Sequence, residues 1–479
     1  MQVVSRIKTD KAVSDTDYVG VVSALVGRAR NAMREFAAAD QARVDDAVTA
    51  LAWSLYKPAH AERLARRAVE STGLGRIDSK ILKNQRKTFG TLRDLLRVKT
   101  VGIIEELPER GLVKYAKPVG VVVAVTPSTN PSATPVNKAM FAIKGRNAII
   151  IVPSPAGHDV TTETVDLMRA ELKKIGLPPD LVQIPDIRPS KALTAELMHQ
   201  ADLVVVTGSQ SNVRAAYRSG TPAIGVGMGN VPVIIDESAA LGDAAEKIRV
   251  SKTFDNATSC SSENAVVIVD SVYDDAIAAL KRAGGYLVDP ARKSVVEKML
   301  WRDGKLNRAI IARDAPVVAD NLGLDSAARS AQFFMVEETG IGPDHPLSGE
   351  KLSLVLTVYR AKDFDDACRI VQGILNYEGR GHSCGIHTQN MAHATRLAET
   401  TDVVRVLVNQ AHTMGNGGSF DNGLNFTLSM GCGTWGGNSI SENLNYRNFI
   451  NITYLVKTIP PDEPSEEALF GKYWERYGK

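Results

Sequence analysis

A chain of 479 residues with 57 basic and 54 acidic side chains carries a formal charge of only +3. That balance gives no ground for nucleic-acid or membrane-surface binding, although it suits an acidic small molecule as partner. With 44% hydrophobic and 23% charged residues, four cysteines and no run near the roughly 18 apolar residues of a membrane span, the composition excludes a disulfide framework and a membrane protein, and a reduced, cytoplasmic protein of two or three domains is expected.

The first residues, MQVVSRIKTDKAVSDTD, lack the apolar run of a signal peptide. From 17 to 98 the spacing predicts helices: Ala24, Val26, Ala29, Met33 and Phe36 share a face, and 47–55 and 61–70 continue the pattern. Residues 101–117 (VGIIEELPERGLVKYAK) read as an extended arm or hairpin. Short apolar, β-rich runs follow at 119–125, 148–152, 203–206 and 233–235, with helical segments at 158–175, 191–199 and 211–218 between them. This alternation predicts a parallel sheet covered on both faces, with ligands outside the carboxyl ends of its strands. A second series follows, with strands at 265–269, 309–311, 333–336, 352–358 and 404–408 and helices at 273–282, 290–299, 363–375 and 391–399. The stretch 449–457 suits a strand that returns to pair elsewhere, and a polar tail closes the chain.

Candidate chemistry begins with Cys260, set among Asn, Thr and Ser between a helical segment and an apolar strand. A packing cysteine belongs on an apolar face, whereas this one lies on a connection with hydroxyl neighbours. Alone, that setting is equally compatible with a structural thiol. Thr207-Gly208-Ser209 follows a strand and opens a helix, as a phosphate-binding turn does, yet Ser209 serves equally as a plain N-cap. The glycine-rich stretch 225–230 (GVGMGN) runs into a strand rather than a helix, and an ordinary turn explains it as well. In Thr126-Pro127-Ser128-Thr129-Asn130-Pro131, two prolines fix the backbone around an amide that could donate to an oxyanion.

Taken together, TPSTNP, GVGMGN, KTFDN with Cys260 just beyond and the block 431–443 (GCGTWGGNSISEN) resemble the aldehyde dehydrogenase superfamily and its coenzyme A-acylating branch, over nearly the whole chain. The resemblance implies two α/β domains with parallel-rich sheets, an oligomerisation arm and assembly as a homodimer or homotetramer. It divides the chain into a dinucleotide-binding domain (1–240) with N-terminal helices and the arm, a catalytic domain (241–435), and a return segment with tail (436–479). It implies that Cys260 is the nucleophile and Asn130 an oxyanion donor, and that NADP or NAD is held by Thr126, Pro127, Ser154, Thr207, Gly208, Ser209, Gly227 and Glu350. Coenzyme A is the implied co-substrate. Around FDNATSCSSEN the likeness is to members acting on sulfoacetaldehyde, with acetaldehyde and succinate semialdehyde as alternatives and with Arg380 and His382 as candidate anion partners.

Two departures from hydrolytic relatives matter. Their water-activating glutamate aligns with Val226, so an enzyme thioester would survive until another thiol arrives. Their K-P-S-E reads Val152-Pro153-Ser154-Pro155 here, which removes a carboxylate that would repel a 2′-phosphate and makes NADP admissible, with His158 and Arg214 as candidate phosphate partners. The competing readings are a hydrolytic enzyme using Glu263 as base and a nonenzymatic protein that kept the fold. Cys368 is expected in core packing, Cys384 in a buried strand and Cys432 lining the site. The spacing of His382, His387, His393 and His412 gives no reason to expect a metal.

Overall fold

The computed structural model describes residues 15–324 and 326–479, so the reading of the first residues as free of a signal peptide lies almost wholly outside them. Four helices open the described chain: α1 (Asp15–Phe36), α2 (Gln41–Tyr56), α3 (Pro58–Thr72) and α4 (Ile77–Leu96). Their limits follow local chemistry. Asp40 caps α2 by accepting from the Arg43 N–H, and α3 starts on Pro58 and stops at Gly73, whose φ of 67° only glycine adopts freely. The face of α4 turned inward is unusual, because it buries Lys80 and Lys83 as well as Leu95.

The arm is a hairpin of β1 (Gly102–Leu107) and β2 (Leu112–Pro118), and the closing segment Ile450–Val456 pairs antiparallel with β2, as expected of a returning strand. The first parallel sheet contains β3 (Val121–Val125), β4 (Ala148–Val152), β5 (Val182–Gln183), β6 (Leu203–Val206) and β7 (Ala223–Gly225) in the order β5-β4-β3-β6-β7. Helices α5 (Ala133–Lys144), α6 (His158–Lys174), α7 (Lys191–Gln200) and α8 (Gln210–Arg218) connect them. Every residue of β3, β4 and β6 is buried, which is why they read as continuous apolar runs rather than alternating ones. Burying each such Val or Ile contributes about 1.5–3 kcal/mol. The chain leaves β3 toward β5 and then returns to β6 on the other side. That reversal opens a crevice at the carboxyl ends of β3 and β6, where open α/β sheets receive ligands.

The second sheet is built from β8 (Val231–Ile235), β9 (Glu263–Val269), β10 (Gly285–Leu287), β13 (Phe333–Glu337), β14 (Val355–Ala361), β15 (Cys384–His387) and β16 (Val406–Val408), in the order β10-β13-β14-β9-β8-β15-β16. A small hairpin of β11 (Trp301–Arg302) and β12 (Lys305–Leu306) projects from it. The expectation that 233–235 belongs with the first series is corrected: β8 pairs with β9 and β15. GVGMGN is therefore the crossing between the two sheets, with helix α9 (Leu241–Thr253) following it. Residues 309–311 form turns rather than a strand, because the Asn307 carbonyl accepts from the Ile310 and Ile311 N–H groups. The tail after the last strand, β17 (Ile450–Val456), ends in a helix at Glu466–Tyr477 that polarity alone did not suggest. Among the described residues no helix is long and apolar enough to cross a membrane.

Candidate active site

The loop that delivers Cys260 is held in a costly conformation. Asp255, Asn256 and Ala257 take φ of 52°, 51° and 58°, three successive left-handed residues without a glycine. Each costs about 1–2 kcal/mol, so the surroundings must over-determine the loop. They do so through the buried Asp255 carboxylate, which accepts from Lys80 Nζ (3.0 Å), Lys83 Nζ (2.6 Å), the Arg76 N–H (2.8 Å) and Thr258 Oγ1 (2.7 Å). Asn256 adds bonds to the Ala312 carbonyl (3.1 Å) and Asp314 (2.8 Å).

The same two lysines reach the TPSTNP turn at the end of β3. Lys80 Nζ donates to the Thr129 carbonyl at 2.9 Å, and Lys83 Nζ donates to Asn130 Oδ1 at 2.9 Å. With its oxygen so occupied, the amide presents its N–H₂ as a donor, and its one protein acceptor is Thr129 Oγ1 at 3.4 Å. Beneath the turn, the buried Lys138 of α5 donates to the carbonyls of Val125 and Val205, at the ends of β3 and β6.

Burial pushes the Cys260 thiol up to about 12, with the Glu350 and Cys432 side chains adding to the rise and the Arg405 guanidinium opposing it. Glu350 itself is raised to about 8 by burial and the neighbouring Glu378, against the pull of Lys351 and Lys252. At neutral pH both groups are therefore mainly protonated in the ligand-free protein. Gly229 lies against Cys260, where an added Cβ would come within 2.0 Å of the Cys260 carbonyl oxygen.

All ten residues expected from the sequence line one cleft of about 1020 Å³: Cys260, Asn130, Thr126, Pro127, Ser154, Thr207, Gly208, Ser209, Gly227 and Glu350. The cleft lies at the carboxyl ends of β3 and β6, and Ser209 caps α8 by accepting from the Asn212 N–H. A glycine turn, a helix N-terminus and a crevice at the strand reversal fit a dinucleotide's pyrophosphate. Val226 also lines it, so no carboxylate stands at that position.

Several expected partners lie elsewhere. Glu263 is fully buried at the start of β9, accepts from the His412 N–H and is absent from the cleft wall, which removes it as a base for water. His158 is bonded to Asp159, and Arg214 is exposed on α8; neither lines the cleft. Lys191, at the start of α7 beyond Ser190, lines the same cleft as Ser154 and Ser209. Arg380 is paired with Asp402, and His382 is fully buried and held neutral, its pKa driven well down by burial and by Arg405. Neither lines the cleft, so the expected anion partners are corrected. Cys432 is buried behind Gly227 rather than lining the site; Cys384 is buried in β15, and Cys368 packs half-buried against the second sheet's core. Among the described residues, Asp236, Glu237 and His393 converge closely enough to hold a metal ion, away from the cleft, with His393 bonded to Asp236 and stacked on Phe364.

Sequence reasoning missed Lys83, Arg86 and Lys87, which line the cleft from α4. The signal was there in the spacing of Lys80, Lys83, Arg86 and Lys87, which puts four cations on one helical face.

Residues 12–289 match the aldehyde dehydrogenase family. The chain is 52% identical over 459 residues to the sulfoacetaldehyde dehydrogenase (acylating) of Cupriavidus necator, covering 96% of this chain and 93% of that protein. It is 46% identical over 446 residues to that of Bilophila wadsworthia, covering 92% and 95%. Among solved structures it is similar to an acetylating aldehyde dehydrogenase from Geobacillus thermoglucosidasius, with a TM-score of 0.89, 34% identity and coverage of 94% and 99%.

Proposed function

The chain belongs to the aldehyde dehydrogenase family, and on that premise we propose that it oxidises sulfoacetaldehyde to its coenzyme A thioester with NADP or NAD. The observation that carries this reading is the convergence of Cys260 and Asn130 on a dinucleotide-sized cleft that presents Val226 where hydrolytic relatives have their base. The Cys260 thiolate attacks the carbonyl carbon to give a thiohemiacetal. The Asn130 amide and the Cys260 backbone N–H receive the oxygen's developing charge. Nicotinamide, when bound, supplies the hydride acceptor, and the carbon left on Cys260 is a thioester. Glu350 and the Thr207–Ser209 turn hold and orient the dinucleotide. Val226 offers water no base, so the acyl group stays on sulfur until the coenzyme A thiol takes it and Cys260 leaves as thiolate. Aldehyde, oxidised cofactor and coenzyme A are thus converted to acyl-CoA, reduced cofactor and one proton.

The Pro155 that replaces a carboxylate, together with Lys191, supports NADP as well as NAD. Exposed Ile452, Tyr454, Leu455 and Val456 on β17 support assembly into a dimer or tetramer through the three-stranded arm, and four free cysteines suit a reducing cytoplasm. The test follows reduced nicotinamide by near-ultraviolet absorbance across sulfoacetaldehyde, acetaldehyde and succinate semialdehyde, with and without coenzyme A. Sustained turnover that needs coenzyme A and favours sulfoacetaldehyde is expected. Equal sustained turnover without coenzyme A would refute acyl transfer.

A further inference from the structure

We propose that Arg86 and Lys87, at the middle of α4, form the seat for the sulfonate of the aldehyde. The assignment rests on the reading of the site as that of a sulfoacetaldehyde dehydrogenase, and it names the cations that such a site needs.

The four cations on this face of α4 divide into two pairs. Lys80 and Lys83 are engaged: both donate to the buried Asp255 carboxylate, and Lys83 also reaches Asn130 Oδ1 and Thr258 Oγ1. An ammonium has three donors, so Lys83 has none left for a ligand. Arg86 and Lys87 differ. Their hydrogen-bond partners are neutral: Ser419 Oγ at 2.8 Å for Arg86, and the carbonyls of Gly417 (2.8 Å) and Gly418 (3.2 Å) for Lys87. Neither is ion-paired among the described residues, and the Arg86 Nε is buried with no acceptor at all. A buried donor left unmade is costly, so the protein leaves this guanidinium short of acceptors, and both side chains line the cleft.

The charges point the same way. Lys87 is pulled down to about 7 by burial, with Arg86 and Lys83 adding like-charge repulsion. Asp421, which is exposed, is held low first by its hydrogen bond to Ser419, with Arg86 adding a smaller attraction. A monoanionic sulfonate between Arg86 and Lys87 would relieve repulsion that the exposed Asp421 offsets only in part. Packing fixes the two groups in place, since the guanidinium lies 4.9 Å over the Phe420 ring and the ammonium 5.3 Å over Phe426.

Distance also fits. Lys87 stands one turn of α4 beyond Lys83, and residues so related are about 5–6 Å apart at Cβ. Lys83 clamps the oxyanion donor and touches the nucleophile loop. Arg86 and Lys87 line the same cleft as Asn130 and Cys260, so a short aldehyde with its carbonyl at Asn130 shares that cleft with both cations, and a guanidinium can engage two sulfonate oxygens.

The test compares kcat/KM for sulfoacetaldehyde with that for propionaldehyde in the parent, Arg86→Gln, Lys87→Gln and Arg86→Lys, using coenzyme A and cofactor in excess. The ratio should fall about 10–100-fold in each glutamine variant, mainly through KM, with partial recovery in Arg86→Lys. Inhibition by isethionate, which carries the sulfonate without a carbonyl, should weaken in parallel. Loss of activity shared equally by both aldehydes, or an unchanged ratio, would overturn the assignment. Should the variants fail to fold, a crystal structure of the parent with isethionate decides: the sulfonate on Arg86 and Lys87 supports the seat, and a sulfonate held elsewhere overturns it. A parent enzyme without preference for sulfoacetaldehyde defeats the substrate reading and the seat with it. A preference that survives in both glutamine variants defeats the seat alone.

Discussion

Gly229→Ala probes how closely the crossing between the two sheets supports the nucleophile. An added Cβ would stand 2.0 Å from the Cys260 carbonyl oxygen, 2.7 Å from its carbonyl carbon and 2.8 Å from its Cβ. Carbon and oxygen settle no closer than about 3.3 Å, so one backbone must retreat by about 1.3 Å. The Cys260 side has little freedom, because residues 255–257 are already left-handed and tied to Lys80, Lys83 and Asp314. The strain therefore falls on the position of the sulfur relative to Asn130. A misplacement of about 1 Å at the reacting atoms costs about 10²-fold, and overpacking itself destabilises by about 1–3 kcal/mol. The expected result is a fall in kcat of about 10² or more, with cofactor binding by fluorescence close to the parent's. Rapid-mixing absorbance would show the loss in the first turnover, when the thiohemiacetal is oxidised. A variant that keeps kcat within about threefold of the parent would refute the claim that this contact positions the sulfur.

Cys260→Ala should abolish turnover while leaving cofactor binding unchanged, as titration by fluorescence will report. Asn130→Ala should lower kcat by about 10²–10³, the loss expected for one oxyanion donor. Lys83→Met should reproduce much of that loss with Asn130 intact, since the amide would lose the bond that orients it, and pre-steady-state absorbance would reveal it. In the ligand-free enzyme, burial holds the thiol near 12, so below that value only a small, rising fraction is thiolate. Alkylation by iodoacetamide should therefore keep accelerating from pH 7 to 10 without a plateau, by up to about tenfold per unit and less steeply around pH 8 where Glu350 charges. Glu350 titrates near 8, so Glu350→Gln should speed alkylation above pH 8, where the parent's carboxylate is charged, and scarcely below it.

What the sequence disclosed and what it hid follow from range. Strands β3, β4 and β6 were legible because burial on both faces leaves nothing but Val, Ile, Leu and Ala, and helical segments such as Tyr273–Arg282 because their apolar faces repeat locally. The cofactor turns were legible because glycine and proline have steric meaning at fixed positions. The sheet to which 231–235 belongs was not, since any apolar strand satisfies either sheet and the choice depends on β9 and β15. Arg380 and His382 were plausible anion partners by residue type alone. Their real settings, an ion pair with Asp402 and a fully buried neutral ring, depend on residues 22 positions away or on burial that no local pattern encodes. Lys83 and Arg86 were overlooked for the opposite reason, because cations on a helix usually mean a solvated face.

The pairing of Lys80 and Lys83 with Asp255 explains why a strained loop and a proline-locked turn, on different sheets, can act as one device. Asn130 follows β3 in the first sheet, and Cys260 precedes β9 in the second, so nothing in either sheet fixes the distance between them. Helix α4 does. Its two lysines hold the Thr129 carbonyl and Asn130 amide on one side and the Asp255 carboxylate on the other, with the lysines and Asp255 buried. A buried carboxylate flanked by two ammonium groups has its desolvation offset at hydrogen-bond distance, and removing either partner would leave an uncompensated charge. The loop's left-handed backbone thus persists because the ion cluster needs Asp255 where it is. On the proposed mechanism, Cys260 and Asn130 are thereby preset before substrate arrives, and Val226, at the same cleft, offers water no base to compete for the thioester.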